Sequence, residues 1–143
     1  MQKLKILVVD DEKSITDICK IYLEREGYEV YISNDGKDAL EKIAKTEFDM
    51  LILDLMLPHY TGEEITRKVR EKSTVPIIML MAKQSEESKV EGLFIGADDY
   101  ITKPFSLKEL VARVNVIFRR IQYYIYKSNE FDYEDETLKI NFE

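Results

Sequence analysis

One cysteine, one histidine and no apolar run near the length of a membrane span define this 143-residue sequence first by what it has little of. A lone Cys19 cannot close an internal disulfide. A membrane helix needs about 20 apolar residues in succession, and no stretch here approaches that. Positive charge is also short: 21 basic residues face 28 acidic ones, a net of −7, which repels polyanions and argues against nucleic-acid binding by this chain alone. The opening "MQKLKILVV" does not read as a leader, because its apolar run is brief and meets two aspartates with no small-residue cleavage site. These absences predict a cytoplasmic protein with no membrane contact. With 45% hydrophobic and 34% charged residues, the composition is globular, and the length suits one domain or one domain with an appendage.

What is present is alternation. Apolar runs at 4–9, 28–32, 49–54, 76–81 and 99–101 read as strands, and the first, third and fourth are nearly continuous in Leu, Ile, Val and Met. Such continuity belongs to strands covered on both faces, as in a parallel sheet. Helical periodicity fills 13–26 with Gly27 as its stop, 36–46, 62–72, 86–95 with Gly96 as its stop, and 106–122, where Ser106 and Glu109 have capping-box spacing. Five strands alternating with five helices predict a doubly wound α/β domain with a five-stranded parallel sheet and right-handed crossovers.

Sites in such folds lie at the carboxyl ends of the strands, and the acids are there. Asp10 and Asp11 follow the first strand and Asp54 ends the third. In the commonest winding these strands are neighbours, so three carboxylates converge. Taken singly, Asp10 or Asp11 also suits a helix N-cap. Asp54 is different, since a loop acid needs no six apolar residues to deliver it. Carboxylates this close stay ionised only with a cation, and oxygen ligands without histidine or thiol select magnesium, calcium or manganese. A cation in turn makes Asp54 a candidate nucleophile toward a phosphoryl group. Lys103, just past the fifth strand in "DDYITKPF", is the candidate basic partner; a lone lysine is ordinarily a solvated surface charge, and a cis Lys103–Pro104 bond would aim it at the acids. His59 lies in a loop, where a lone histidine is ordinarily plain surface, and Cys19 among Ile15, Ile18 and Leu23 reads as a small core residue.

The segments "VVDDE", "LILDLMLP", "GLFIGADDYITKPF" and "SLKELVARVNVIFRR", in this order, resemble the receiver domain of two-component response regulators, in its OmpR-like winged-helix subfamily. The resemblance implies a flavodoxin-like fold with strand order 2-1-3-4-5. It implies that Asp54 accepts a phosphoryl group from a sensor histidine kinase, with at most slow self-dephosphorylation and no other enzyme activity. Asp11 and Asp54 would hold Mg2+ with the main-chain carbonyl of Met56, Asp10 would act through a metal-bound water, and Lys103 would pair with the phosphoryl group. Pro58 and Gly62 would shape the loop over Asp54.

One position departs from the pattern. Met81 stands where the family has a Thr or Ser at the end of the fourth strand, and methionine has no donor for the phosphoryl oxygen. Losing a hydrogen bond to a charged group costs about 1.5–3 kcal/mol, so coupling of phosphorylation to shape is expected to weaken. The switch aromatic of the family corresponds to Tyr100, and the long Met81 side chain is expected to bias it outward.

By the same resemblance, the fourth helix, fifth strand and fifth helix form a homodimer face with Lys89 opposite Glu109 and Asp99 opposite Arg113. Residues 1–122 then make the receiver. Residues 123–143, with six acidic and two basic residues beyond Arg120, read as an acidic linker and the first strands of a truncated winged-helix domain, so that DNA would be reached only through the missing effector. Rival classes fit less well. A haloacid-dehalogenase-like phosphatase usually has a second Asp two residues after the nucleophile, where this chain has Met56, and "VVDDEKS" has no glycine for a nucleotide loop. The alternative that remains is a degenerate receiver acting as a phosphorylation-independent dimerisation or protein-interaction module.

Overall fold

A computed structural model of the chain describes residues 2–82 and 96–138, with the backbone alone for residue 124 and residues 126–138. Five strands, β1 (Lys5–Val9), β2 (Glu29–Ser33), β3 (Met50–Asp54), β4 (Ile77–Ala82) and β5 (Asp99–Lys103), form one parallel sheet in the order β2-β1-β3-β4-β5. The helices among the described residues are α1 (Lys13–Arg25), α2 (Gly36–Lys45), α3 (Gly62–Arg70) and α4 (Leu107–Leu138). This is the doubly wound, flavodoxin-like fold. The helix expected over 86–95 lies outside the described residues, as does Lys89.

Every residue of β3 is buried, because β1 and β4 flank it in the sheet and both its faces are covered. On one face, Leu7, Val9, Leu51, Leu53, Ile77 and Met79 form a cluster with Ala39 of α2 and Ile65 and Val69 of α3. The alternate positions Ile6, Val8, Ile52, Ile78 and Leu80 point to the other face and are equally buried. Fully burying such a side chain stabilises the fold by about 1.5–3 kcal/mol each, and a single-residue slip in register would exchange the two sets.

Local chemistry sets the helix ends. Gly27, at φ +95°, closes α1: its N–H donates to Glu24 O (3.0 Å) and that of Tyr28 to Leu23 O (3.3 Å), the paired bonds of a Schellman motif. Asp35 caps α2 through the Asp38 N–H, and Thr61 and Glu64 form a reciprocal capping box at α3. Ser106 Oγ accepts the Glu109 N–H at 3.0 Å where α4 begins.

The C-terminal segment differs from the sequence expectation. Residues 123–138, read as linker and strand, belong instead to α4, which runs unbroken for 32 residues. The physical reason is plain in the sequence: from Phe105 to Glu143 there is neither glycine nor proline to stop a helix. The chain divides into two compact units, residues 1–110 with the sheet and residues 111–143 with most of α4. Among the described residues, no helix is long and apolar enough to cross a membrane.

Candidate functional site

The carboxyl ends of β1, β3 and β5 bring Asp10, Asp54 and Lys103 together. β1 and β3 are direct neighbours, with Val9 level with Leu53, so the residues that follow them emerge side by side. Lys103 Nζ lies 2.7 Å from Asp10 Oδ2 and 3.3 Å from Asp54 Oδ2. The Lys103–Pro104 bond is cis.

Asp10 is fully buried. Its Oδ1 accepts the Glu12 N–H at 2.9 Å, and its main-chain carbonyl accepts the Asn34 amide at 2.9 Å. Neither Asp10 nor Asp11 caps α1; the N-cap is Glu12, with no side-chain capping bond. The aspartates are thus released from the structural role that their position suggested. Asp54 is 5% exposed and its Oδ1 accepts the Met56 N–H at 3.2 Å. The chain then turns outward abruptly, and Met56 is 66% exposed. Gly62 is packed so closely on Asp54 that a Cβ there would overlap the Asp54 carbonyl, and its N–H donates to Leu55 O at 3.0 Å.

Burial chiefly, and then the charge of Asp10, push the Asp54 carboxyl up to about 6, although Lys103 and the Met56 amide pull it down. Burial also acts to lower Lys103, but the carboxylates of Asp10 and Asp54 outweigh it and the ammonium is raised above its ordinary value. Cys19, buried on α1, is pushed up to about 12 by burial and by Asp10, so the thiol stays protonated and inert.

The oxygens of Asp10, Asp11 and Glu12 lie within 4.8 Å of one another. Asp54, expected among the metal ligands, has its Oδ2 3.3 Å from Lys103 Nζ and its Oδ1 accepting the Met56 N–H. Glu12 and Asn34 escaped the sequence reading. Glu12 is signalled only as the third acid in "DDE", whereas Asn34 directly follows β2, the strand beside β1, and also donates to the buried Thr16 Oγ1 at 3.1 Å.

Met81, 1% exposed, is the penultimate residue of β4 and lies level with Thr102. Tyr100, for which an outward bias was expected, is half-buried and packs against the core cluster that contains Met79. His59 is exposed in the loop after β3, with φ +70°. Asp99 and Glu109 are half-buried on β5 and α4 in the first unit, and Arg113 belongs to the second.

The fold and this site define a doubly wound domain that presents a strand-end carboxylate beside a fixed lysine and an acidic cluster. The chain belongs to the response regulator receiver domain family, whose pattern it matches over residues 6–115. It is similar to the receiver domain of Francisella response regulator 1452, at 39% identity and TM-score 0.79, covering 83% of this chain and 99% of that one. A CheY-like receiver protein from Methanospirillum hungatei aligns at 32% identity and TM-score 0.80, with 86% and 99% covered. The response regulator DrrB of Thermotoga maritima, an OmpR/PhoB homologue, aligns at 37% identity and TM-score 0.78, over 83% of this chain and 54% of DrrB.

Proposed function

We propose that Asp54 is the phosphoacceptor of a two-component system, receiving its phosphoryl group from the phosphohistidine of a sensor histidine kinase. The observation that carries this reading is the ammonium of Lys103 shared between the buried carboxylates of Asp10 and Asp54. An Asp54 carboxylate oxygen attacks phosphorus; the new O–P bond forms as the P–N bond breaks, and the departing imidazole nitrogen keeps the electron pair and takes a proton from solvent. A carboxyl with its pKa at about 6 is largely ionised at neutral pH and so is competent as the nucleophile. Lys103 neutralises charge on the transferred group without becoming part of it. The all-oxygen cluster of Asp10, Asp11 and Glu12 fits a hard divalent cation such as Mg2+. When bound, that ion supplies positive charge against the phosphoryl oxygens.

Membership of the OmpR-like subfamily is supported by the likeness to DrrB, and homodimerisation through Asp99, Glu109, Arg113 and Lys89 is the output that reading implies. DNA would be reached only through an effector domain, and the helical path of residues 107–138 lends no support to a winged-helix hairpin there. Catalysis beyond slow self-dephosphorylation is not part of the proposal.

One observation favours the degenerate receiver as a second reading: the buried Met81 at the end of β4 offers no hydrogen-bond donor. The deciding experiment is intact mass after incubation with Mg2+ and an acyl phosphate, beside an Asp54→Ala control, with sedimentation of the same samples. Gain of one phosphoryl group, abolished in the control, supports the phosphoacceptor. No gain supports the phosphate-independent module.

A further inference from the structure

The turn between β2 and α2, residues 34–36, touches the chain beside both acids. β2 ends at Ser33, level with Val9, and the Asp10 N–H still donates to Ser33 O at 3.2 Å. In a parallel ladder the Asp10 carbonyl would next accept the N–H of residue 35. Asp35, however, turns away as the N-cap of α2. The Asn34 side-chain amide supplies that rung, donating to Asp10 O at 2.9 Å, and ties the same point to Thr16 Oγ1 of α1 at 3.1 Å. Thr16 is fully buried and its hydroxyl donates to Lys13 O at 3.0 Å. The exposed Asn34 is thus fastened to fixed groups.

Gly36 makes the second contact. Its N–H donates to Pro58 O at 3.4 Å, and the Tyr60 N–H donates to the same oxygen at 2.9 Å. Gly36 is buried, and a Cβ there would overlap the Tyr60 carbonyl oxygen and Cβ. Between the two anchored residues His59 holds φ +70°, a conformation that a residue with a side chain keeps only where its surroundings fix it. The loop after Asp54 is therefore gripped at its tip by Gly36, as it is at its base by Gly62. Strand pairing joins β2 to β1 but not to β3; the Gly36 contact adds that third connection.

We propose that Asn34 and Gly36 are positioning residues for the acidic site, the turn being a clasp that fixes the main chain at Asp10 through one and the loop after Asp54 through the other. They act through Asp10 and through the loop, not on the reacting carboxylate. The proposal rests on the reading of Asp10 and Asp54 as parts of one phosphoacceptor site, and it makes the clasp a determinant of how tightly that site holds a divalent cation.

Two backbone amides report the two arms in the metal-free protein: the Glu12 N–H on Asp10 Oδ1 at 2.9 Å, and the Met56 N–H on Asp54 Oδ1 at 3.2 Å. The test is amide hydrogen exchange of the full chain in chelator. Asn34→Ala should speed exchange at Glu12 by about fivefold, the usual effect of losing one hydrogen bond, with Met56 unchanged. Gly36→Ala should speed exchange at Met56 by about tenfold or more, since a backbone overlap is relieved only by moving the loop, with Glu12 unchanged. Both should weaken Mg2+ binding, read by calorimetry, by about threefold or more. Val30→Ala truncates a buried residue of β2 level with Ile6, short of both loops. It should lower the melting temperature and leave both amides and the Mg2+ affinity as in the wild type.

Amides that speed up together in every variant, Val30→Ala included, would show general loosening and overturn the clasp. Wild-type exchange and Mg2+ affinity in both clasp variants would overturn it too. Asn34 is exposed, so Asn34→Ala decides its own arm even where Gly36→Ala fails to fold. A wild-type chain that binds no Mg2+ and gains no phosphoryl group would overturn the phosphoacceptor reading instead, and the amide rates, taken without metal, would still decide the clasp.

Discussion

Lys103 sits closer to Asp10 than to Asp54, at 2.7 Å against 3.3 Å. The lysine is therefore held chiefly by a fully buried acid, and the acid proposed to react is its secondary partner. This asymmetry keeps the ammonium in place whatever happens to the Asp54 carboxylate.

Replacing the lysine should consequently destabilise the protein even with no phosphoryl group present. Lys103→Met leaves Asp10 and Asp54 buried with no ammonium between them, at a cost on the order of 3 kcal/mol. Chemical denaturation of the metal-free protein at pH 7.5 and pH 5 checks this. The loss should be smaller at pH 5, where Asp54 is protonated; an equal loss at both pH values would sink the explanation.

Asp54 itself should be a burden on the metal-free fold. Its folded pKa, about 6, lies above the ordinary carboxylate value. A carboxyl raised on folding binds more protons in the native state, so its contribution is fully present below the unfolded pKa and is lost as pH rises through about 6. Asp54→Asn should then be the more stable form at pH 7.5, by on the order of 2–3 kcal/mol, with the gain disappearing below pH 4. Thermal unfolding in chelator across this range measures it, and a gain independent of pH would contradict the assigned cause.

Divalent-ion binding should follow the same titration. If the ion stabilises an ionised Asp54 beside the acidic cluster, Mg2+ should raise the melting temperature more at pH 7.5 than at pH 5. Asp11→Asn should reduce that rise at both. Calorimetry in two buffers of different ionisation enthalpy should show proton release on binding near pH 6, and its absence would remove Asp54 from the coupling.

Met81→Thr separates phosphorylation from its consequences. Exchanging a buried methionine for a smaller, polar side chain should cost about 2 kcal/mol of stability or more. The compensating result is a larger phosphorylation-dependent shift in sedimentation, because the phosphoryl oxygen gains a donor. If Met81→Thr left that shift unchanged, the methionine would have no part in coupling.

Gly62→Ala should damage the site from behind. Its Cβ would overlap the Asp54 carbonyl, a backbone contact that cannot rotate away. A loss of about 1–3 kcal/mol and slower gain of phosphoryl mass are expected, whereas Glu63→Ala, one residue along, should leave the rate unchanged.

Much of this site is legible in the sequence, because it depends on where strands end. Continuous apolar runs marked β1, β3 and β4, and an acid after such a run has few structural uses, so Asp10 and Asp54 stood out. Asn34 did not, since its contact with Asp10 spans 24 residues and depends on the neighbouring of β1 and β2, not on any local pattern. The N-cap is left open by the sequence for a related reason: Asp10 and Asp11 both suit a cap, and only the turn formed by the Glu12 N–H on Asp10 Oδ1 gives that role to Glu12. The tail misled through its composition. "SNEFDYEDE" is polar enough to resemble a linker, yet with no glycine or proline its backbone has no reason to leave the helix that precedes it.

The complete burial of β3 has a consequence for how Asp54 meets a reactant. The strand is hydrogen-bonded to a neighbour on each side, and the Leu55 N–H still donates to Leu80 O at 2.8 Å. One residue later the chain is open to water. In amide hydrogen exchange, Leu51 to Leu53 should therefore be protected up to the free energy of global unfolding, while the chain from Met56 onward exchanges through small local openings. The carboxylate stands on the last slow-exchanging step of the chain, so its direction of attack is inherited from the most durable part of the molecule while the surface around it stays free to rearrange.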